Sequence, residues 1–155
     1  MSKKKLLVTG IAIPLIVGGI SALLTNGAME DFDMVNKPPL TPPNWLFPVV
    51  WIILYTMMGI ASFAVYTSKK EPEIKKAALL VYGIQLFFNF WWPVIFFNGD
   101  WYLAAAVWLF VLWLLIIVML ALFGNISRTA RNMIIPYFIW VTFALYLNLG
   151  VWLLN

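Results

Sequence analysis

Five long apolar runs separated by short polar gaps dominate this chain. Leu6–Leu24, Phe47–Tyr66, Ala77–Phe97, Trp101–Phe123 and Met133–Leu154 each approach or exceed the ~20 residues that carry an α-helix across a bilayer. The gaps differ in kind. Asn26–Trp45 is long and Pro-rich, Thr67–Lys76 is charged, Asn98–Asp100 reads as a tight turn, and Gly124–Asn132 carries two arginines. Open strands are not viable in lipid because their edges stay unpaired, and a barrel would show alternating segments of about ten residues. The pattern predicts an all-α integral membrane protein: one domain over residues 1–155, folded as a single bundle of five transmembrane helices.

Composition turns that pattern into a statement about solvent. Hydrophobic residues make up 64% and charged residues 10%, against about 45–50% and about 25% in soluble domains. Too few polar groups exist to cover a water-facing surface, so lipid must be the solvent. The net charge of +4 does not indicate a nucleic-acid partner, because every charged residue lies in a terminus or a gap. A charge at the bilayer centre costs roughly 2.5–3.5 kcal/mol on insertion scales, and the apolar runs contain none.

Charge also predicts direction. Lys3, Lys4, Lys5, Lys69, Lys70, Lys75, Lys76, Arg128 and Arg131 fall on one side, whereas the other has Lys37 with Glu30, Asp31, Asp33 and Asp100. The positive-inside rule then places the N-terminus in the cytoplasm, with the 26–45 loop and the C-terminus outside. Short termini and this clean bias favour a bacterial cytoplasmic membrane. The run after Lys5 is long for a signal-peptide core and has no small-residue cleavage pattern before Asn26, so it reads as a retained first helix.

The chain has neither cysteine nor histidine. Disulfides and thiolate chemistry are excluded, and the commonest haem ligand, zinc ligand and general base are missing. No metal is expected, no cofactor is required, and no acid–base catalytic set lies within the spans, since all carboxylates are in the gaps.

Two features carry candidate chemistry. The first is the loop Lys37-Pro38-Pro39-Leu40-Thr41-Pro42-Pro43-Asn44-Trp45, whose prolines fix φ and remove donors, predicting an extended, stiff segment. It can serve as a lid, with Pro42 in it, or as a rigid connector with an interfacial tryptophan. The second is a set of helical spacings: Trp51, Tyr55 and Met58; Gln85, Asn89, Trp92 and Phe96; Trp140, Phe143, Ala144 and Leu147, with Asn148 alongside. Each set shares a helix face. The amides Gln85 and Asn89 want partners in lipid, either as interhelical hydrogen bonds or as polar points in an apolar ligand cavity. Small residues that let helices approach include Gly18 with Ala22, Gly59, Gly83 and Ala104–Ala106.

These residues resemble the TspO/translocator protein family, the tryptophan-rich sensory proteins or peripheral benzodiazepine receptors. The loop matches a Lys-Pro-x-x-x-Pro-Pro-x-Trp signature over Lys37–Trp45. Gln85–Phe97 resembles Gln-Leu-x-x-Asn-x-x-Trp-Pro-x-x-Phe-Phe, and Pro136–Asn148 resembles Pro-Tyr-x-x-Trp-x-x-Phe-Ala-x-x-Leu-Asn. The resemblance implies a five-helix bundle, often a homodimer, with a cavity capped by the first loop. It also implies binding of porphyrins such as protoporphyrin IX, and of isoquinoline carboxamide and benzodiazepine-type drugs. Trp51 and Trp140 match tryptophans linked in bacterial members to light-driven porphyrin degradation, and Ala144 matches the site of a ligand-affinity polymorphism. Two departures stand out. Leu40 replaces a frequent Trp and would alter a wall of the lid. The animal cholesterol-recognition pattern is missing after Leu147-Asn148, so cholesterol binding through it is not supported.

The expected function is a membrane-embedded sensor or regulator that binds a tetrapyrrole. Its expected ligand-binding residues are Pro42, Trp51, Tyr55, Gln85, Asn89, Trp92, Phe96, Trp140, Phe143, Ala144 and Leu147. Three alternatives stay open: passive transport of porphyrins or lipids, light-dependent porphyrin degradation by way of Trp51 and Trp140, and a purely structural scaffold.

Overall fold

The computed structural model describes all residues, Met1–Asn155, and its regular secondary structure is all helical. α1 spans Lys3–Thr25, a short α2 spans Met29–Phe32, and α3, α4, α5 and α6 span Leu46–Tyr66, Pro72–Pro93, Tyr102–Ile126 and Arg128–Leu154. Five of these are long and apolar enough to cross a membrane, with the short helix appended to the first. The helices start where local chemistry favours it. Ser2 accepts from the Lys5 amide at 3.3 Å and Ser127 accepts from the Ala130 amide at 3.2 Å, each satisfying one orphan donor. Pro72 opens α4 at the position where a missing N–H costs nothing, with Glu73 in the same turn.

Helix boundaries differ from the apolar runs in an instructive way. The Gly124–Asn132 gap is almost wholly helical, broken only at Ser127, whose extended φ of −154° ends α5 and caps α6. Hydropathy marks where lipid ends, and backbone hydrogen bonding continues past that point into polar sequence. For the same reason α4 begins five residues before Ala77. At its other end Pro93 is followed by a wider turn over Val94–Asn98, which continues the span where a three-residue turn was expected to start. The 26–45 segment is also more ordered than expected, with a 3-10 turn at Asn26–Ala28 followed by α2. Its proline stretch is not uniformly extended: the chain turns at Pro39–Leu40, with Leu40 at φ 70° and Thr41 Oγ1 donating to Pro38 O at 2.7 Å. Proline followed by a positive φ is the pattern of a type II turn.

Around the bundle the neighbour order is α1–α3–α6–α5–α4 and back to α1. Glycine sets the closeness of α1 and α3. A Cβ on Gly59 would collide with Ile11 Cα and Gly10 O, and one on Gly18 would overlap the Tyr55 ring. Gly83 faces open space and plays no such part. Of the three consecutive alanines, Ala105 and Ala106 are buried and Ala104 is exposed.

The core fills one half of the bundle. Met58, Ala61 and Val65 of α3 meet Ala78 and Tyr82 of α4, Leu112 to Phe123 of α5, and Ile134, Tyr137 and Val141 of α6. Many large apolar residues face outward, among them Ile52, Ile53, Phe87, Val107 and Ile139, as expected when the surroundings are lipid. In the other half, toward the 26–45 segment, α5 packs through Ala105 behind Phe96 and Val151, and a cavity opens among the other four long helices.

Candidate ligand-binding site

The cavity has a volume of about 320 Å³ and is walled by α1, α3, α4 and α6, with the 26–45 segment across its end. Each wall follows from sequence. α1 contributes Gly18, Ser21, Ala22 and Thr25, whose small side chains leave space that larger ones would fill. From α3 come Phe47, Trp51 and Tyr55; from α4 and its wide turn come Asn89, Trp92 and Phe96; from α6 come Trp140, Ala144, Leu147 and Asn148. No lining residue is charged.

The aromatic walls are mutually braced. Trp51 stacks on Tyr55 at a centroid distance of 5.4 Å and meets Trp140 edge-on at 6.4 Å and 88°. Phe47 meets Trp140 at 5.9 Å, and Trp92 packs on Phe96 at 5.4 Å. Such offset and edge contacts are the favoured aromatic geometries. The Nε1–H of Trp140 is buried and has no acceptor within the protein, a state that costs free energy unless a partner arrives.

Polar groups at the cavity floor form one connected chain. Tyr55 OH donates to Asn89 Oδ1 at 2.7 Å, Asn89 Nδ2 donates to Tyr137 OH at 2.8 Å, and Tyr137 OH donates to Gln85 Oε1 at 2.7 Å. The chain ties α3, α4 and α6 together and continues from Gln85 Nε2 to Met58 Sδ at 3.9 Å. A second tie runs from Trp92 Nε1–H to Asn148 Oδ1 at 2.9 Å, and from Asn148 Nδ2 to Tyr102 O at 2.8 Å. On the α1 side Ser21 Oγ donates to Phe90 O at 2.8 Å, where α4 approaches its change of pitch.

The end segment is fastened to α6. Asn155 Nδ2 donates to Asn36 O at 2.8 Å, and the Asn36 amide donates to Asn155 Oδ1 at 3.1 Å. Tyr146 OH donates to Pro39 O at 2.7 Å, and Pro38 fills the notch over Gly150.

Of the residues expected in a site, Trp51, Tyr55, Asn89, Trp92, Phe96, Trp140, Ala144 and Leu147 line this one cavity. Three do not. Gln85 is fully buried one helical turn deeper and spends its polar atoms on Tyr137 and Met58. Phe143 packs beside Trp140 and Tyr146 on the flank of α6. Pro42 is half-buried and does not line the cavity, which Thr41 and Asn44 of the same loop reach instead. Leu40 forms no wall either; it is 81% exposed. Sequence reasoning missed the whole α1 wall, Met29 and Phe32 of α2, and the central role of Tyr137. A signal existed for Tyr137, which lies in the same Pro136–Asn148 motif and three residues before Trp140.

Fold and cavity together define a five-helix integral membrane protein with a neutral, aromatic internal cavity at one end of the bundle. The chain belongs to the TspO/MBR family, whose model matches residues 10–153. It is 40% identical over 125 residues to the tryptophan-rich protein TspO of Chlorobaculum tepidum, covering 80% of this chain and 78% of that one. It is 36% identical over 138 residues to protein CrtK of Rhodobacter capsulatus, covering 89% and 85%. The translocator protein of Ovis aries is 32% identical over 128 residues, covering 78% and 72%.

Proposed function

We propose that the protein is a membrane sensor or regulator whose cavity binds a flat, hydrophobic tetrapyrrole such as protoporphyrin IX, and accepts isoquinoline carboxamide-type molecules on the same walls. The observation that carries this reading is a single uncharged cavity faced by Trp51, Trp92 and Trp140. Indole faces stack well on an extended π system. The volume lies at the small end of the roughly 300–1,000 Å³ usual for ligand pockets. It suits a flat ring system of isoquinoline size, so a porphyrin would leave part of its macrocycle, with the polar substituents, at the mouth. With neither His nor Cys in the chain, a metal-free macrocycle is favoured over one needing a strong axial ligand.

In this reading Trp51, Tyr55, Asn89, Trp92, Phe96, Trp140, Ala144 and Leu147 touch the ligand, while Pro42, Gln85 and Phe143 support them from behind. Four of the six carboxylates lie at the cavity end, and nine of the ten lysines and arginines at the other. That segregation supports a cytoplasmic N-terminus with the cavity toward the outside. A homodimer is the expected assembly. The match of Trp51 and Trp140 to tryptophans linked in bacterial members to light-driven porphyrin degradation, together with their mutual contact in the cavity wall, supports a second reading of the same site, in which both indoles take part in light-dependent breakdown of the bound pigment.

The test is quenching of tryptophan fluorescence by protoporphyrin IX in wild type, Trp51→Phe, Trp140→Phe and the double variant. Weaker binding in each single variant and the weakest in the double supports the proposal. Identical titrations in all four would remove it.

A further inference from the structure

A second cleft lies at the same end of the bundle, where the start of α5 meets the end of α6, and it shares no lining residue with the aromatic cavity. Asp100, Trp101 and Trp152 line it together. Asp100 is exposed and sits in the left-handed region at φ 52°, which glycine adopts freely and aspartate at some cost. Its carboxylate has one weak partner, the Tyr102 hydroxyl, which donates at 3.4 Å. Lys37, the basic residue at this end, is turned elsewhere, onto the Phe32 ring and Asp33 O. Trp101 is 69% exposed and Trp152 40%. Neither indole N–H has an acceptor in the protein, unlike those of Trp92, Trp108 and Trp113. Interfacial anchoring accounts for two exposed tryptophans, but not for an unpaired carboxylate beside them. Below the cleft, Leu103, Val107, Phe110 and Leu114 are all exposed. Their spacing of four, three and four residues makes one apolar stripe down α5 into the lipid.

A carboxylate beside indole faces is the chemistry that recognises an ammonium group: the acid supplies charge, and the ring faces supply their quadrupole. Independently of what the aromatic cavity holds, we infer that this cleft is a headgroup site for a zwitterionic phospholipid, which seats its ammonium group against Asp100, Trp101 and Trp152. The phosphate of the same headgroup lies over the first turn of α5, which has no side-chain cap, and takes the free indole N–H groups as donors. The acyl chains follow the stripe from Leu103 to Leu114. A phospholipid with a phosphate but no ammonium meets Asp100 as a like charge and gains nothing from the indole faces.

The experiment is native mass spectrometry of the full chain in detergent, titrated with phosphatidylethanolamine or with phosphatidylglycerol of identical acyl chains. Wild type is compared with Asp100→Asn and Trp152→Leu. Asparagine tolerates the left-handed backbone, so Asp100→Asn removes the charge and keeps the turn. The expected result is one phosphatidylethanolamine site that Asp100→Asn weakens about two- to fivefold, the scale of an exposed ion pair. Trp152→Leu should weaken it by a similar factor, through loss of the ring face. Phosphatidylglycerol, which finds its cations at the opposite end of the bundle, should bind all three proteins alike. Unchanged phosphatidylethanolamine binding in Asp100→Asn, or equal loss of both lipids, overturns the assignment. Displacement of phosphatidylethanolamine by an equal concentration of tetramethylammonium chloride would give the cleft to a soluble ammonium compound and overturn the lipid assignment as well.

Discussion

Gly18 of α1 lies against the ring of Tyr55 of α3 so closely that a Cβ at position 18 would overlap three ring carbons. That ring cannot simply turn away, because Tyr55 is stacked on Trp51 and its hydroxyl is bound to Asn89. Gly18→Ala should therefore shift Tyr55 and disturb the cavity wall, lowering stability by about 1–3 kcal/mol as overpacking does. Gly19, one residue on, faces open space. Gly19→Ala should be neutral or stabilising by up to about 1 kcal/mol through helix propensity. Thermal unfolding of both variants in detergent checks the contrast. Equal melting temperatures would contradict it.

A parallel contrast applies to the α1–α3 contact. At Gly59 a Cβ meets backbone, Ile11 Cα and Gly10 O, which cannot yield without moving α1. Gly59→Ala should lower the melting temperature clearly, whereas Gly83→Ala, with nothing nearby, should not.

Tyr137 holds the floor network together, accepting from Asn89 and donating to Gln85. Tyr137→Phe leaves both amides short of a partner in a dry environment. A loss of about 1–3 kcal/mol follows from orphaned polar groups, reduced toward about 0.6 kcal/mol if the amides re-pair. The measured quantity is again thermal stability, with Trp113→Phe as comparison, since its Nε1–H bonds the exposed Thr142.

Much of this architecture was legible in the sequence because lipid imposes simple demands: length, apolarity and no central charge. Helical spacing brought Trp51, Asn89 and Trp140 to the right faces. It did not give depth along those faces, so Gln85, one turn below Asn89, was grouped with residues that line the cavity although it is buried in the core. Small residues were ambiguous for another reason. Gly18 and Ala22 look the same whether they admit a neighbouring helix or leave room for a cavity, and Gly18 does both. The polar segment over residues 124–132 hid its helices because hydropathy reports the solvent rather than the backbone.

The 26–45 segment is fastened across the end of the cavity, and its fastening is separable from the cavity wall. Asn155→Ala removes the bonds to Asn36, and Tyr146→Phe removes the bond to Pro39. Neither side chain lines the cavity. Both variants should exchange ligand several-fold faster at nearly unchanged melting temperature, because rim bonds of about 1 kcal/mol each govern opening more than global stability. Stopped-flow quenching by protoporphyrin IX measures this directly. Unaltered association and dissociation rates would show that ligands enter by another route.

The account rests on the aromatic cavity as the place where ligand binds. A structure of the protein with protoporphyrin IX bound tests that most directly. The predicted result is a macrocycle between α1, α3, α4 and α6, in contact with Trp51 and Trp140 and beneath the Asn26–Trp45 segment. A macrocycle bound instead on the lipid-facing surface, with the Trp51–Trp140 contact undisturbed and the cavity unentered, would contradict it.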